Sequence, residues 1–193
     1  MALLSDCHRR IERFLGILQR VCRESHGGPL DASHREALEA ALRYFSTAAP
    51  RHTADEESSL FPRMRSLRDD RIAAMLAEMA RLEADHAMAV RLHDEVDELG
   101  RRWLADGSIS AAQTARLEEL LESLVTIYER HIAYEDRVVF PTASEVLSPS
   151  DIAAVGREMA QRRGLDPGQK PVGLNLPSNT LDPLASKPSQ SKP

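Results

Sequence analysis

Apolar residues recur along the chain at spacings of three and four, the mark of amphipathic helices that bury one stripe. Leu4, His8, Ile11, Leu15, Leu18 and Cys22 make the first stripe, opposite Arg9, Arg10, Arg13, Arg20 and Arg23. The helix they predict stops before His26-Gly27-Gly28-Pro29, a loop signal. Ser33-x-x-Glu36 resembles a capping box for a second helix, whose stripe is Leu38, Leu42, Phe45, Ala49, His52, Glu56 and Ser59. Pro50 predicts a kink or break just before His52, and Phe61-Pro62 an end. A third helix from about Asp70 to Leu104 turns Ile72, Met75, Met79, Leu82, His86, Ala89, Val90, His93, Val96, Gly100 and Trp103 inward. After the turn Asp106-Gly107-Ser108, the capping-box candidate Ser110-x-x-Gln113 opens a fourth helix. Its stripe is Leu117, Leu121, Leu124, Tyr128, His131, Glu135 and Val138, and Phe140-Pro141 closes it. Ser148-Pro149-Ser150-Asp151 starts a short fifth helix, about 149 to 163, docked by Ile152, Val155 and Met159 and ended by Gly164.

The fold class expected is therefore all-α: four long helices and a short C-terminal one, forming one domain over 1–163. From Leu165 onward six prolines fall among Ser, Asn and Lys with no aromatic residue, so 164–193 is expected to be a Pro/Ser-rich disordered tail.

The polar residues inside these stripes repeat. His52-x3-Glu56-Glu57, followed by Phe61-Pro62, returns 79 residues later as His131-x3-Glu135-Asp136, followed by Phe140-Pro141. His8 and His86 are related by a shift of 78. Each half of the chain thus carries one helix with a histidine and one with HxxxE. Positions i and i+4 share a helix face, so each HxxxE aims an imidazole and a carboxylate at one point, which is metal-ligand spacing. A lone histidine on an apolar stripe is an ordinary core residue. Here four histidines and two glutamates all occupy core-facing positions and recur together. Buried carboxylates without a partner would cost several kcal/mol, and a metal supplies that partner.

Composition narrows the alternatives. A net charge of -5 provides no basic field for nucleic acid. No apolar run approaches a membrane span and no signal-peptide segment opens the chain, so a cytoplasmic location is expected. Cys7 and Cys22 would stand roughly 22 Å apart on one helix, which predicts free thiols. Gly-rich phosphate loops, CxxC pairs and nucleophile elbows are absent, leaving the His/Glu set as the seat of any chemistry.

The order His8, His52-x3-Glu56, His86, His131-x3-Glu135, with its acidic and Phe-Pro trailers, resembles the hemerythrin-like, or HHE cation-binding, family over about residues 4 to 148. The resemblance implies an up-and-down four-helix bundle around a non-haem di-iron centre. It implies two iron ions per chain, oxo- or hydroxo-bridged, with His8, His52, His86 and His131 as terminal ligands and Glu56 and Glu135 as bridges. Two positions depart from the oxygen carriers of that family. The histidine expected four residues after His86 is Val90, while His93 lies further along as a neighbour of the site or a core residue. An aspartate at the offset of Asp136 bridges in the carriers; the internal repeat favours Glu135, leaving Asp136 and Glu57 as hydrogen-bonding neighbours or surface acids. Fewer histidines leave one open position on each iron, which suits binding or reaction with O2, NO or peroxide. Tyr128 is expected as a pocket or core residue. Two other readings compete: an iron store or donor related to iron-sulfur centre repair, and a metal-stabilised interaction module.

Overall fold

A computed structural model of the chain describes residues 1–165; the expected tail, apart from Gly164 and Leu165, lies outside them. Among the described residues there are helices and no strands. In order they are α1 (Ala2–Ser25), α2 (Ala32–Thr47), α3 (Ala49–Asp55), a π-helical turn π1 (Glu56–Leu60), α4 (Phe61–Arg65), α5 (Asp70–Asp106), α6 (Ala111–Tyr134), a second π-turn π2 (Glu135–Val139), α7 (Phe140–Val146) and α8 (Pro149–Arg162). α1 packs on α2 and α6, and α5 packs on the same two, closing an up-and-down four-helix bundle. α8 lies outside it, across α3 and π1.

Local chemistry sets most ends. Ser110 Oγ accepts from Gln113 N at 3.3 Å while Gln113 Oε1 accepts from Ser110 N at 2.9 Å, the reciprocal capping box expected for α6. Ser148 Oγ likewise accepts from Asp151 N at the head of α8. The second helix starts earlier than Ser33 predicted. Asp31 is its N-cap, with Oδ1 accepting from His34 N at 2.7 Å, because the carboxylate reaches the free N–H groups from two residues upstream. Pro50 does divide α2 from α3 at Ala48.

The two Phe-Pro pairs act differently from the expected terminators. Each rod continues beyond them, to Arg65 and to Val146. The proline ring crowds the carbonyl four residues back, here Ser58 and Arg137, and the rod widens there instead of ending. Phe61 N–H donates to Glu56 O and Phe140 N–H to Glu135 O, five residues back. The widened turn shifts the buried stripe by one residue: Val139 is buried, while Val138, expected inward, is only half-buried.

The core comes in two apolar clusters separated by a polar layer. One, around Leu15, Leu38, Trp103 and Leu121, fills the end with the α1–α2 and α5–α6 loops. The other, around Leu4, Phe61, Met79 and Phe140, fills the opposite end. His93 is partly buried within the first cluster, stacked on Phe45 with ring centres 4.1 Å apart, its Nε2 3.2 Å from the Tyr128 hydroxyl. Burial pulls its imidazole from the ordinary 6.5 down to about 4. Both cysteines are buried and free.

Gly27 ties the loop end together. Its φ of +74° is left-handed, its carbonyl accepts from Ile109 N at 2.8 Å, and an added Cβ would meet Thr114 Oγ1 at 2.1 Å. Gly27→Ala is expected to lower unfolding free energy by about 2–3 kcal/mol in urea titration. His93 gives a pH dependence. Its folded pKa lies below its unfolded one, so the unfolded chain binds more protons between pH 6.5 and 4. The stability it contributes is present above 6.5 and lost as pH falls through 4. In His93→Gln the acid-side loss across this window should be smaller than in the parent by up to roughly 3 kcal/mol, read from denaturation curves at each pH.

Candidate metal centre

The polar layer between the two clusters consists of the six residues singled out by the repeat. Each sits where its helix passes from one apolar cluster to the other: His8 between Leu4 and Ile11, His52 after Ala49, His86 between Leu82 and Ala89, His131 and Glu135 between Tyr128 and Val139. His8, Glu56 and Glu135 are wholly buried, and the other three nearly so. Ligand atoms of His8, His52, Glu56 and Glu135 all lie within 4.8 Å of one another, as do those of Glu56, His86, His131 and Glu135. The two groups share both carboxylates. All six predicted residues are thus brought together, with two histidines on either side of a glutamate pair.

The imidazoles turn Nε2 inward. His52 Nε2 is 3.3 Å and His86 Nε2 3.4 Å from Glu56, and His8 and His131 Nε2 are 3.0 and 3.1 Å from Glu135. Outside the cage, acids meet the opposite ring nitrogens. His8 Nδ1 is 3.0 Å from Asp136 Oδ1, to which Ser5 Oγ also donates, while Arg9 donates to Oδ2. His86 Nδ1 is 2.8 Å from Glu57 Oε1. His131 Nδ1 stands 3.6 Å from Asp85, which Arg130 grips at 2.6 Å. At His8 and His86 the acceptor on Nδ1 favours a proton there, so it is the inward Nε2 whose proton a cation would displace. The trailing acid of each HxxxE therefore serves the lone histidine of the other half. Asp136 lies outside the cage that Glu135 enters, so the repeat-related glutamate is the one that faces all four imidazoles.

The donor set calls for positive charge. Both oxygens of Glu56 and of Glu135 are buried without a hydrogen-bond partner. Burial alone would depress His8 and His86, yet contacts and charge from Glu135 and Glu56 outweigh it and hold His8 up at about 10; at His86 Glu56 leads and the imidazole stands at about 9. Glu56 is itself held well below the usual carboxylate range: burial opposes this, and His52, His8 and His86 prevail. His52 is lowered, burial outweighing the pull of Glu56. Four imidazoles and two carboxylates arranged as two linked groups, with four orphaned oxygens, fit a pair of metal cations.

Val90, expected inward, is 54% exposed. The buried face of α5 around His86 runs through Leu82 and Ala89 instead, so position 90 cannot reach the cage. Tyr128 lines a small cavity of about 10 Å³ beside the four histidines, together with Ile11, Ala49, Thr53 and Ile132. Asp85 escaped the sequence reading because it has no counterpart in the repeat, where the matching position is Cys7. Asp55, in the first HxxxE turn, escaped it because an acid between two ligand candidates looks like a surface charge.

No helix among the described residues is long and apolar enough to cross a membrane. The chain is 29% identical over 164 residues to an uncharacterized protein of Haemophilus influenzae, an alignment covering 83% of this chain and 88% of that one. The sequence model of the Hemerythrin HHE cation binding domain matches residues 1–143, and with them every member of the buried His/Glu layer. The chain belongs to the hemerythrin HHE cation-binding family.

Proposed function

We propose that the protein is a non-haem di-iron protein that binds or reacts with O2, NO or peroxide. The observation that carries this reading is the sharing of Glu56 and Glu135 by two otherwise separate histidine pairs. His8 and His52 would hold one iron, His86 and His131 the other, and the two glutamates both. A pair of irons bound there supplies redox chemistry and an exchangeable position for a small ligand. The protein's own groups do the rest. Asp136 and Glu57 hold the Nδ1 protons of His8 and His86. The inward Nε2 protons of the charged imidazoles are the ones that would leave on cation binding, while the Nδ1 protons stay. The cavity at the four histidines, about 10 Å³ and walled in part by Ile11, Ala49 and Ile132, accords with a ligand of a few atoms. Two buried free thiols accord with a reducing, cytoplasmic setting.

Reconstitution with ferrous iron under reducing conditions is expected to give two irons per chain by metal analysis, and optical titration with O2, NO and peroxide then identifies the ligand. Glu135→Ala should lose both irons, since both histidine pairs depend on it. Asp136→Asn should keep the stoichiometry and weaken affinity about 10–100-fold, the usual effect of removing a carboxylate behind a histidine ligand. A parent chain that retains no iron, or an Asp136→Asn chain that loses both while Glu135→Ala keeps them, overturns this assignment.

A further inference from the structure

The two halves of the repeat differ around their HxxxE turns. Under the shift of 79, Asp55, Ser59 and Arg63 correspond to Tyr134, Val138 and Thr142. The buried acid and the cation of the first half have no charged equivalents in the second. All three first-half residues engage α8. Asp55 is wholly buried; its Oδ1 accepts from Arg162 Nη1 at 2.8 Å and its Oδ2 from Arg163 Nη2 at 2.6 Å. Arg162 Nη2 also donates to Ser59 Oγ, inside π1, at 2.6 Å. Arg63 grips Glu158 of α8 with two N–H groups, at 2.7 and 3.1 Å, and donates to the Ser59 carbonyl at 2.7 Å. Between these pairs Val155 and Met159 complete the apolar cluster that contains Leu60 and Met64.

This geometry ties α8 to the peptide that carries Glu56. Asp55 is its neighbour in sequence, and Ser59 lies in the turn that Glu56 opens. Undocking α8 would leave the Asp55 carboxylate buried without its cations, at a cost of several kcal/mol, or force the turn to move so that water reaches it. α8 lies beyond residues 1–143, which the family's sequence model matches, while Asp55, Ser59 and Arg63 lie within them.

We propose that α8 is a clamp on one half of the centre: through Asp55, Ser59 and Arg63 it fixes the Glu56 turn, and so sets how tightly that half holds its cation. Arg162 and Arg163 are then positioning residues for a site they do not touch. The clamp stands on side-chain contacts alone; its consequence for metal retention rests on the metal reading above.

Two measurements on the full chain test this, with R162Q/R163Q and with the triple variant D55N/R162Q/R163Q, which leaves no lone buried charge and so guards against loss of folding. In the metal-free proteins, hydrogen exchange of Glu56–Leu60 should quicken at least about tenfold while Glu135–Val139 is unchanged. In the ferrous-loaded proteins, chelator challenge should withdraw one iron of the two at least about tenfold faster than in the parent, leaving the slower phase in place. General destabilisation would quicken both turns and both phases together. That result, or no change in either turn, overturns the clamp. Faster exchange with unchanged iron withdrawal overturns its link to the metal. A parent chain that retains no iron overturns the metal reading and with it that link, while the exchange result still decides the clamp.

Discussion

Glu56 and Glu135 are wholly buried at the middle of the bundle, and none of their four oxygens finds a hydrogen-bond partner. Apolar packing cannot compensate two such charges, since desolvating a carboxylate costs more than the surrounding burial of leucines returns locally. The fold answers by surrounding the pair with four imidazoles whose Nε2 atoms lie 3.0 to 3.4 Å away. The hydrophobic core is split to make room for this layer, and both apolar clusters end against it. The same charge is what a bound cation would relieve, which is why these six residues are the candidate metal centre of the fold.

The π-turns show how the backbone serves the same constraint. Each begins at the glutamate itself, and each is followed by a buried phenylalanine and a proline. Widening the helix at that point adds a residue to the turn and shifts the buried stripe, so Leu60 and Phe61, or Val139 and Phe140, close the cage from below while the glutamate keeps facing the histidines. Phe140 stacks on His8 with ring centres 5.3 Å apart, holding a ligand candidate from another helix.

Internal symmetry organises the inner shell and fails outside it. Glu57 and Asp136 cross between halves, each fixing the histidine of the other, so neither half completes its own surroundings. Asp85 and Arg130 lie beside His131, and the ion pairs of Arg162 and Arg163 with Asp55 are made at the first HxxxE turn. The two groups of ligand candidates, alike in residue type, therefore stand in unequal surroundings.

The amino-acid sequence by itself determined the helices, the Ser110 and Ser148 caps, the break at Pro50, and the six inward-facing polar residues. Each of these depends on neighbours within about one or two helical turns, where i, i+3 and i+4 geometry is set by the backbone alone. Tertiary structure decided the rest: that the six converge on one point, that Glu135 rather than Asp136 faces all four imidazoles, that Val90 turns to solvent, and that Asp55 is a buried anchor for α8. Those outcomes arise between residues 29 to 131 positions apart, where the partner is supplied by the packing of a different helix and leaves no periodic trace along the chain.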